Sequence, residues 1–317
     1  MSAIENLVNE KIELRQHDHQ YILHSNPDLQ FSSVTNIIDD HFKPFDKWRI
    51  ARILTTNNSK YQHLTPEELV GQWNEVRDHG SRVHDEIEKF ITSKTPPHYE
   101  ESRHALKALD SIKKNVGGEW YPEVIVFSKK LKVAGSVDLI LKHGDSFSIY
   151  DWKTTKNIYK DNRGYGISTQ TKSIRDTNFN KYELQLSGYS YLLEQCHDMK
   201  IKNQYIVHLT KNSFEIIPTE NKRKLIRSIF SKIQNKPVFK KKEKVDGNFR
   251  KNYQSRSSVS TITKNNDNKT IGNSSPINAN TKYESTFSKI FEGILMLIAG
   301  FSVLMFIYTM LMALFSN

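Results

Sequence analysis

The stretch from Val133 to Lys156, VAGSVDLILKHGDSFSIYDWKTTK, constrains the fold more than any other segment of the chain. Two apolar runs flank Gly144-Asp145, a pair suited to a two-residue hairpin turn. With that pair as the loop, residue i faces residue 289 − i, so Asp138 lies opposite Asp151. Alternation along a strand puts Lys153 on the same face as Asp151. It turns Leu139, Leu141, Tyr150 and Trp152 to the other face. Two carboxylates and an ammonium therefore converge. Facing carboxylates repel unless one takes a proton or a cation lies between them. Oxygen ligands with water favour Mg²⁺ or Mn²⁺. Such an ion orients a phosphodiester and acidifies a bound water, while the lysine holds or activates the attacker. The alternative is an ordinary hairpin with a surface Asp–Lys pair, worth little to stability.

Segments on both sides bear on this choice. Upstream, Thr65-Pro66-Glu67-Glu68 is a capping box with proline at the first helical position, predicting a helix to about Ile91. Within it, HGSRVHDEIEKF sets His84 and Glu88 four apart on one face, with Gly80 a turn earlier. A His–Glu pair aimed at a carboxylate site supplies another metal ligand; a lone helical histidine is otherwise a packing or surface residue. Downstream, YELQLSGY places Gln185 and Tyr189 at i, i+4 in a predicted helix from about Lys181 to Gln195, which alone reads as a packing helix. Strand-like runs at 121–127, 132–142, 146–153, 204–209 and 214–218, and an amphipathic helix ending near Ile233, complete the pattern. The fold class is α/β (α+β), a mixed sheet with flanking helices.

Taken in order, Gly-x-x-x-His-x-x-x-Glu (Gly80, His84, Glu88), Ala-Gly-x-x-Asp (Ala134, Gly135, Asp138), Asp-x-Lys (Asp151, Lys153) and Gln-Leu-x-x-Tyr (Gln185, Leu186, Tyr189) resemble a known family. It is the PD-(D/E)xK nuclease superfamily in its RecB-like exonuclease branch, the group of mitochondrial genome maintenance exonucleases and related phage or viral enzymes. Phe31-Ser32-Ser33-Val34-Thr35 is similar to that group's Pro-Ser-Val-Thr segment, with Ser32 where proline is usual. The likeness covers roughly residues 20–218.

The resemblance implies a restriction-endonuclease-like mixed central sheet flanked by helices. It implies His84, Asp138 and Asp151 as ligands of Mg²⁺ (or Mn²⁺), with the Trp152 backbone carbonyl as a fourth, and Lys153 as the catalytic lysine. Glu88 would assist from behind the ligands, and Glu123 falls where relatives carry an accessory acid. Gln185 and Tyr189 would contact the DNA strand or brace the site. Ser33, Thr35, Thr154 and Thr155 would be phosphate contacts. The activity implied is metal-dependent hydrolysis of DNA, as an exonuclease on single-stranded ends. The chain departs from parts of the family. It has one cysteine, Cys196, so the four-cysteine iron–sulfur cluster of some relatives is excluded, along with disulfide frameworks. It also lacks a G-x-x-x-x-G-K-[ST] phosphate loop, so no nucleotide cofactor is expected.

The net charge of +11 is unevenly placed. Residues 1–219 hold 29 Lys and Arg against 29 Asp and Glu, whereas 220–284 hold 16 against 5. The N-terminus, with Glu5, Glu10 and Glu13, is neither a signal peptide nor an Arg-rich transit peptide. Residues 293–315 run 23 positions without a charge, about 34 Å as a helix, enough to span a bilayer. The expected organisation is a nuclease domain at 1–236, a disordered basic linker at 237–286 and a C-terminal transmembrane tail anchor at 287–317. Lysines before the span place the nuclease domain on the cytoplasmic side of a single-pass membrane protein. The competing class is a non-enzymatic, membrane-tethered nucleic-acid adaptor. The joint presence of Asp138, Asp151 and Lys153 argues against it, since a binding module has no use for that triad.

Overall fold

In the computed structural model residues 2–15 and 17–233 are described, with the backbone alone at 161–163. They lie within one compact unit of the chain, Met1–Lys241. In chain order the elements are α1 (Ala3–Asn9), β1 (Ile12–Arg15), β2 (Gln20–Leu23), β3 (Ser32–Ser33), α2 (Val34–Asp39), α3 (Lys47–Asn57), α4 (Pro66–Ser93) and α5 (Glu100–Asn115). There follow β4 (Glu119–Ser128), β5 (Val133–His143), β6 (Ser146–Lys153), β7 (Asp161–Tyr165), β8 (Arg175–Thr177), α6 (Asn178–Cys196), β9 (Ile201–Leu209), β10 (Phe214–Thr219) and α7 (Arg223–Ile233).

The central sheet runs β10-β9-β6-β5-β3, with β4 also paired to β5. β4, β5 and β6 form an antiparallel meander, while β6 and β9 pair in parallel across the α6 crossover. β4 covers one edge of β5 along its length; the other edge is shared by β6 at residues 139–143 and by β3 at 133–134. Gly144 takes φ +59°, the left-handed backbone that closes the two-residue turn. Leu139 then pairs with Tyr150 and Leu141 with Ser148, the register expected from the turn.

Alternation in that hairpin divides the core. On one face Leu139, Leu141, Tyr150 and Trp152 pack with Val83 and Ile87 of α4 and with Ala105, Ala108, Leu109 and Ile112 of α5. On the other, Ile140 and Ile149 join residues of α2, α6 and α7, among them Ile38, Leu186 and Phe230. Burying each large apolar side chain contributes roughly 1.5–3 kcal/mol. The stripe facing the sheet, more than intrinsic propensity, therefore fixes how each helix lies. α4 begins at Thr65 as the capping box requires, the Thr65 hydroxyl accepting from Glu68 N and the Glu68 carboxylate from Thr65 N.

The expectation of a restriction-endonuclease-like sheet with a C-terminal transmembrane helix is corrected to a mixed α/β fold with a central mixed sheet and packed helices. No helix among the described residues is long and apolar enough to cross a membrane. α4 has the length, at 28 residues, but places charges along its course from Glu67 to Lys89. α6, at 19 residues, carries Lys181, Glu183 and Glu194. The apolar run 293–315 and the basic stretch 237–286 lie outside the described residues.

Candidate active site

Three carboxylates line up across three neighbouring strands. In β4 and β5, Pro122 pairs with Leu139 and Val124 with Val137, which leaves Glu123 facing Asp138. In β5 and β6 the ladder stops at Leu139–Tyr150, one step short of Asp138 and Asp151. There the strands part. The Trp152 N–H, instead of serving a ladder carbonyl, donates to Asp138 Oδ2 at 2.7 Å. β6 continues alone against β9, with Asp151 beside Ile206 and Lys153 beside His208. The Thr155 carbonyl accepts from the His208 imidazole at 2.7 Å, fixing the chain just past the lysine. The acid row thus sits at the mouth of a splayed hairpin.

α4 reaches this mouth from one layer and α6 from the other. His84 Nδ1 stands 3.5 Å from Asp138 Oδ2. Gly80, a turn earlier, lets α4 approach: a Cβ there would lie 3.0 Å from Thr154 Oγ1. From α6, the Tyr182 ring lies under Lys153, with Nζ 4.8 Å from the ring centroid. Lys153 Nζ pairs directly with Asp151 Oδ2, whose carboxylate is buried.

The electrostatics follow from burial and mutual proximity. Burial opposes charge on Asp138, but the His84 imidazolium and the Lys153 ammonium hold its carboxyl below the ordinary range. Burial pushes Asp151 up to about 6, with Lys153 opposing and Asp138 adding to the rise. Burial, with the Asp138 charge beside it, pushes Glu123 up to about 8. Against burial, Asp138 holds His84 above its usual value, and Asp151 and Asp138 do the same for Lys153. The lysine is therefore a cation at neutral pH, a partner for anionic oxygen and not a base.

One donor atom each from His84, Glu123 and Asp138 lie within 4.8 Å of one another. One imidazole and two carboxylates are a donor set that suits a divalent cation such as Mn²⁺ or Mg²⁺. The expected ligands His84 and Asp138 are in this cluster. Glu123 joins them, whereas Asp151 is turned to Lys153. Trp152 meets the cluster through its N–H. Glu88 lies one turn past His84, and its charge adds to the rise at Glu123.

Other expected residues occupy supporting positions. Gln185 donates to Tyr189 Oη at 2.6 Å, and the Tyr189 ring is buried against Gly135 of β5. This places both under the sheet, where a nucleic-acid strand cannot touch Tyr189. The Ser33 hydroxyl accepts from Asn36 N and caps α2, while Thr35 is exposed on that helix. Thr154 faces Gly80, and Thr155 Oγ1 accepts from Asn178 Nδ2 at 3.4 Å. Tyr182 and Ser136 were not anticipated. Tyr182, Gln185 and Tyr189 follow an i, i+3, i+7 stripe that marks one face of α6. Ser136 Oγ donates to Glu123 Oε2 at 3.1 Å, a contact no spacing rule would signal.

Comparison with known proteins gives partial matches. No protein-family profile matches the chain. Over 89 residues, 28 % of this chain, it is 33 % identical to one of the subunits of the ATP-dependent helicase/nuclease of Carboxydothermus hydrogenoformans. The matched segment spans 6 % of that relative's length. A solved structure, that of SSO0001, aligns over 75 % of this chain and 84 % of its own, at 14 % identity and a TM-score of 0.28.

Proposed function

We propose that this chain is a metal-dependent nuclease of the RecB-like PD-(D/E)xK type, cleaving DNA phosphodiesters as an exonuclease on single-stranded ends. The observation that carries this reading is the row Glu123, Asp138 and Asp151 across three strands, closed by His84 on one side and Lys153 on the other. The local similarity to part of a helicase/nuclease supports it. His84, Glu123 and Asp138 would hold the cation, and Asp151, paired with Lys153 beside them, would add negative charge to the site. A divalent ion there supplies charge neutralisation at the scissile phosphate and acidification of water. Lys153, held cationic and braced on Tyr182, orients the attacking water and meets negative charge growing on phosphate oxygens. Trp152 N–H locks the Asp138 carboxylate in one orientation, so the row does not have to reorganise during the reaction.

The test is release of nucleotides from an end-labelled oligonucleotide with Mg²⁺ or Mn²⁺, on free-ended and end-blocked strands. Asp151→Asn and Lys153→Ala should each reduce turnover at least about a hundredfold while binding of the strand persists, as expected for groups acting in the transition state. Near-normal cleavage by Asp151→Asn in Mg²⁺ overturns the assignment, and so does a wild-type chain that binds but never cuts.

A further inference from the structure

A second feature of the molecule has no part in the acid row. Phe45 is 68 % exposed and Trp48 40 % exposed, on the segment that enters α3 and on its first turn. The Phe45 ring stands 5.6 Å from that of Trp73, near the start of α4, tilted by 59°. Rings of this size are ordinarily withdrawn from water, and an exposed group of them marks a contact surface. Their setting identifies the partner. Residues 43–60 hold five basic side chains, Lys43, Lys47, Arg49, Arg52 and Lys60, against Asp46 alone. Asp46 is occupied in capping α3, its carboxylate accepting from Arg49 N. Lys47 Nζ lies 6.0 Å from the Trp48 ring centroid. Aromatic faces on a segment with a basic surplus, with Lys47 itself beside Trp48, suit a chain that alternates flat bases with phosphates, and suit poorly an apolar protein face, which would bury that charge.

The platform is also in line with the site. Trp73 and His84 are eleven residues apart on α4, three full turns to within about 20°, so they share one face roughly 16 Å apart. Gly80 lies between them on that face, where the helix meets Thr154. The segment bearing Phe45 is anchored: the His41 carbonyl accepts from Ile167 N at 2.8 Å and from Thr171 Oγ1 at 2.9 Å.

We propose that Phe45, Trp48 and Trp73 form a base-stacking platform that grips single-stranded nucleic acid and aligns it along α4 toward the His84–Asp138 cluster. The alignment toward the cluster rests on the nuclease reading, while the grip does not. The test uses the full chain in EDTA, with fluorescence anisotropy of a labelled oligothymidylate of about 16 nucleotides and a matched abasic strand. The wild type should bind the thymidylate strand at least about tenfold more tightly than the abasic one. Phe45→Ala with Trp48→Ala should remove that preference by weakening the first strand and leaving the second unchanged, with an unaltered circular dichroism spectrum. If the pair proves unstable, Trp48→Ala alone, with rescue by Trp48→Phe, gives the same reading. Equal wild-type affinity for both strands, or a preference that survives the double substitution, overturns the platform. Failure of the nuclease reading registers separately, as absence of Mg²⁺- or Mn²⁺-dependent product from the same strand with stacking preference intact.

Discussion

Glu123 stands mid-strand with φ +48°, a left-handed backbone rare for a residue with a side chain, and its carboxyl is buried against the Asp138 charge. Its folded value of about 8 lies above the ordinary 4.5, so the native state holds this proton more tightly than the unfolded chain does. Stability from that proton is present in full below about 4.5 and is lost as pH rises toward 8. Asp151, raised to about 6, adds in the same direction at lower pH. The metal-free chain should therefore melt several degrees lower at pH 8 than at pH 5, at about 2–4 °C per kcal/mol for a domain of this size. Glu123→Gln should flatten that slope, which calorimetry across the pH range would check. Since cation binding must displace the same protons, the rise in melting temperature on adding Mn²⁺ should be larger at pH 8 than at pH 6. His84→Ala should weaken Mn²⁺ binding about tenfold or more while lowering the melting temperature only slightly; isothermal titration separates the two. A large melting loss with unchanged titration would make His84 a packing residue.

At the level of elements, the meander and α6 depend on one close approach. A Cβ on Gly135 would lie 2.3 Å from Tyr189 Cε1, inside any tolerable contact. Gly135→Ala should destabilise by about 1–3 kcal/mol, the range for overpacking. Adding Tyr189→Leu should recover part of the loss, as a double-mutant cycle by urea unfolding would show. The β5–β6 hairpin was legible in the sequence because Gly144-Asp145 fixes the turn and period-2 alternation fixes the faces. α4 was legible because Thr65 and Glu68 cap it reciprocally. The partnership of Glu123 with Asp138 could not be read from alternation, since Pro122 and a left-handed Glu123 interrupt the β4 pattern where the two acids meet. α5 escaped because its buried face includes Glu101, Ser102 and His104 among the apolar residues. β3 and β8, of two and three residues, are too short for any periodicity to register, and β7, DNRGY, has no apolar alternation. Alternation already put Lys153 beside Asp151; that Glu123, and not Asp151, joins His84 and Asp138 depends on the splay of two strands, a tertiary event that no local pattern encodes.

Across the whole molecule, charge and chemistry occupy different parts of the sequence. Every proposed site residue falls within residues 1–219, where basic and acidic side chains balance at 29 each, and the surplus falls in 220–284. A chain ending at 236 should still cleave, but bind its strand more weakly and with a shallower dependence of log Kd on log salt, as fewer counterions are released. Filter binding at several salt concentrations, alongside cleavage rates, would test this. An inactive yet folded truncation would refute the division of labour. The meander has a further consequence for how the molecule reaches its native state. Glu123, Asp138, Asp151 and Lys153 all lie within 31 consecutive residues joined by tight turns, so the contacts among their strands close short loops. His84 comes from a helix that precedes the meander, and the parallel pairing of β6 with β9 must wait for the α6 crossover. Short loops close at lower entropic cost than long ones, so the acid row should assemble ahead of the helices that neutralise and cover it. For that interval, three mutually repelling carboxylates stand together beside a single lysine, and a divalent cation in solution can reach them before the fold is complete. Refolding should accordingly run faster in Mn²⁺ than in EDTA, with the gain vanishing in Asp138→Asn.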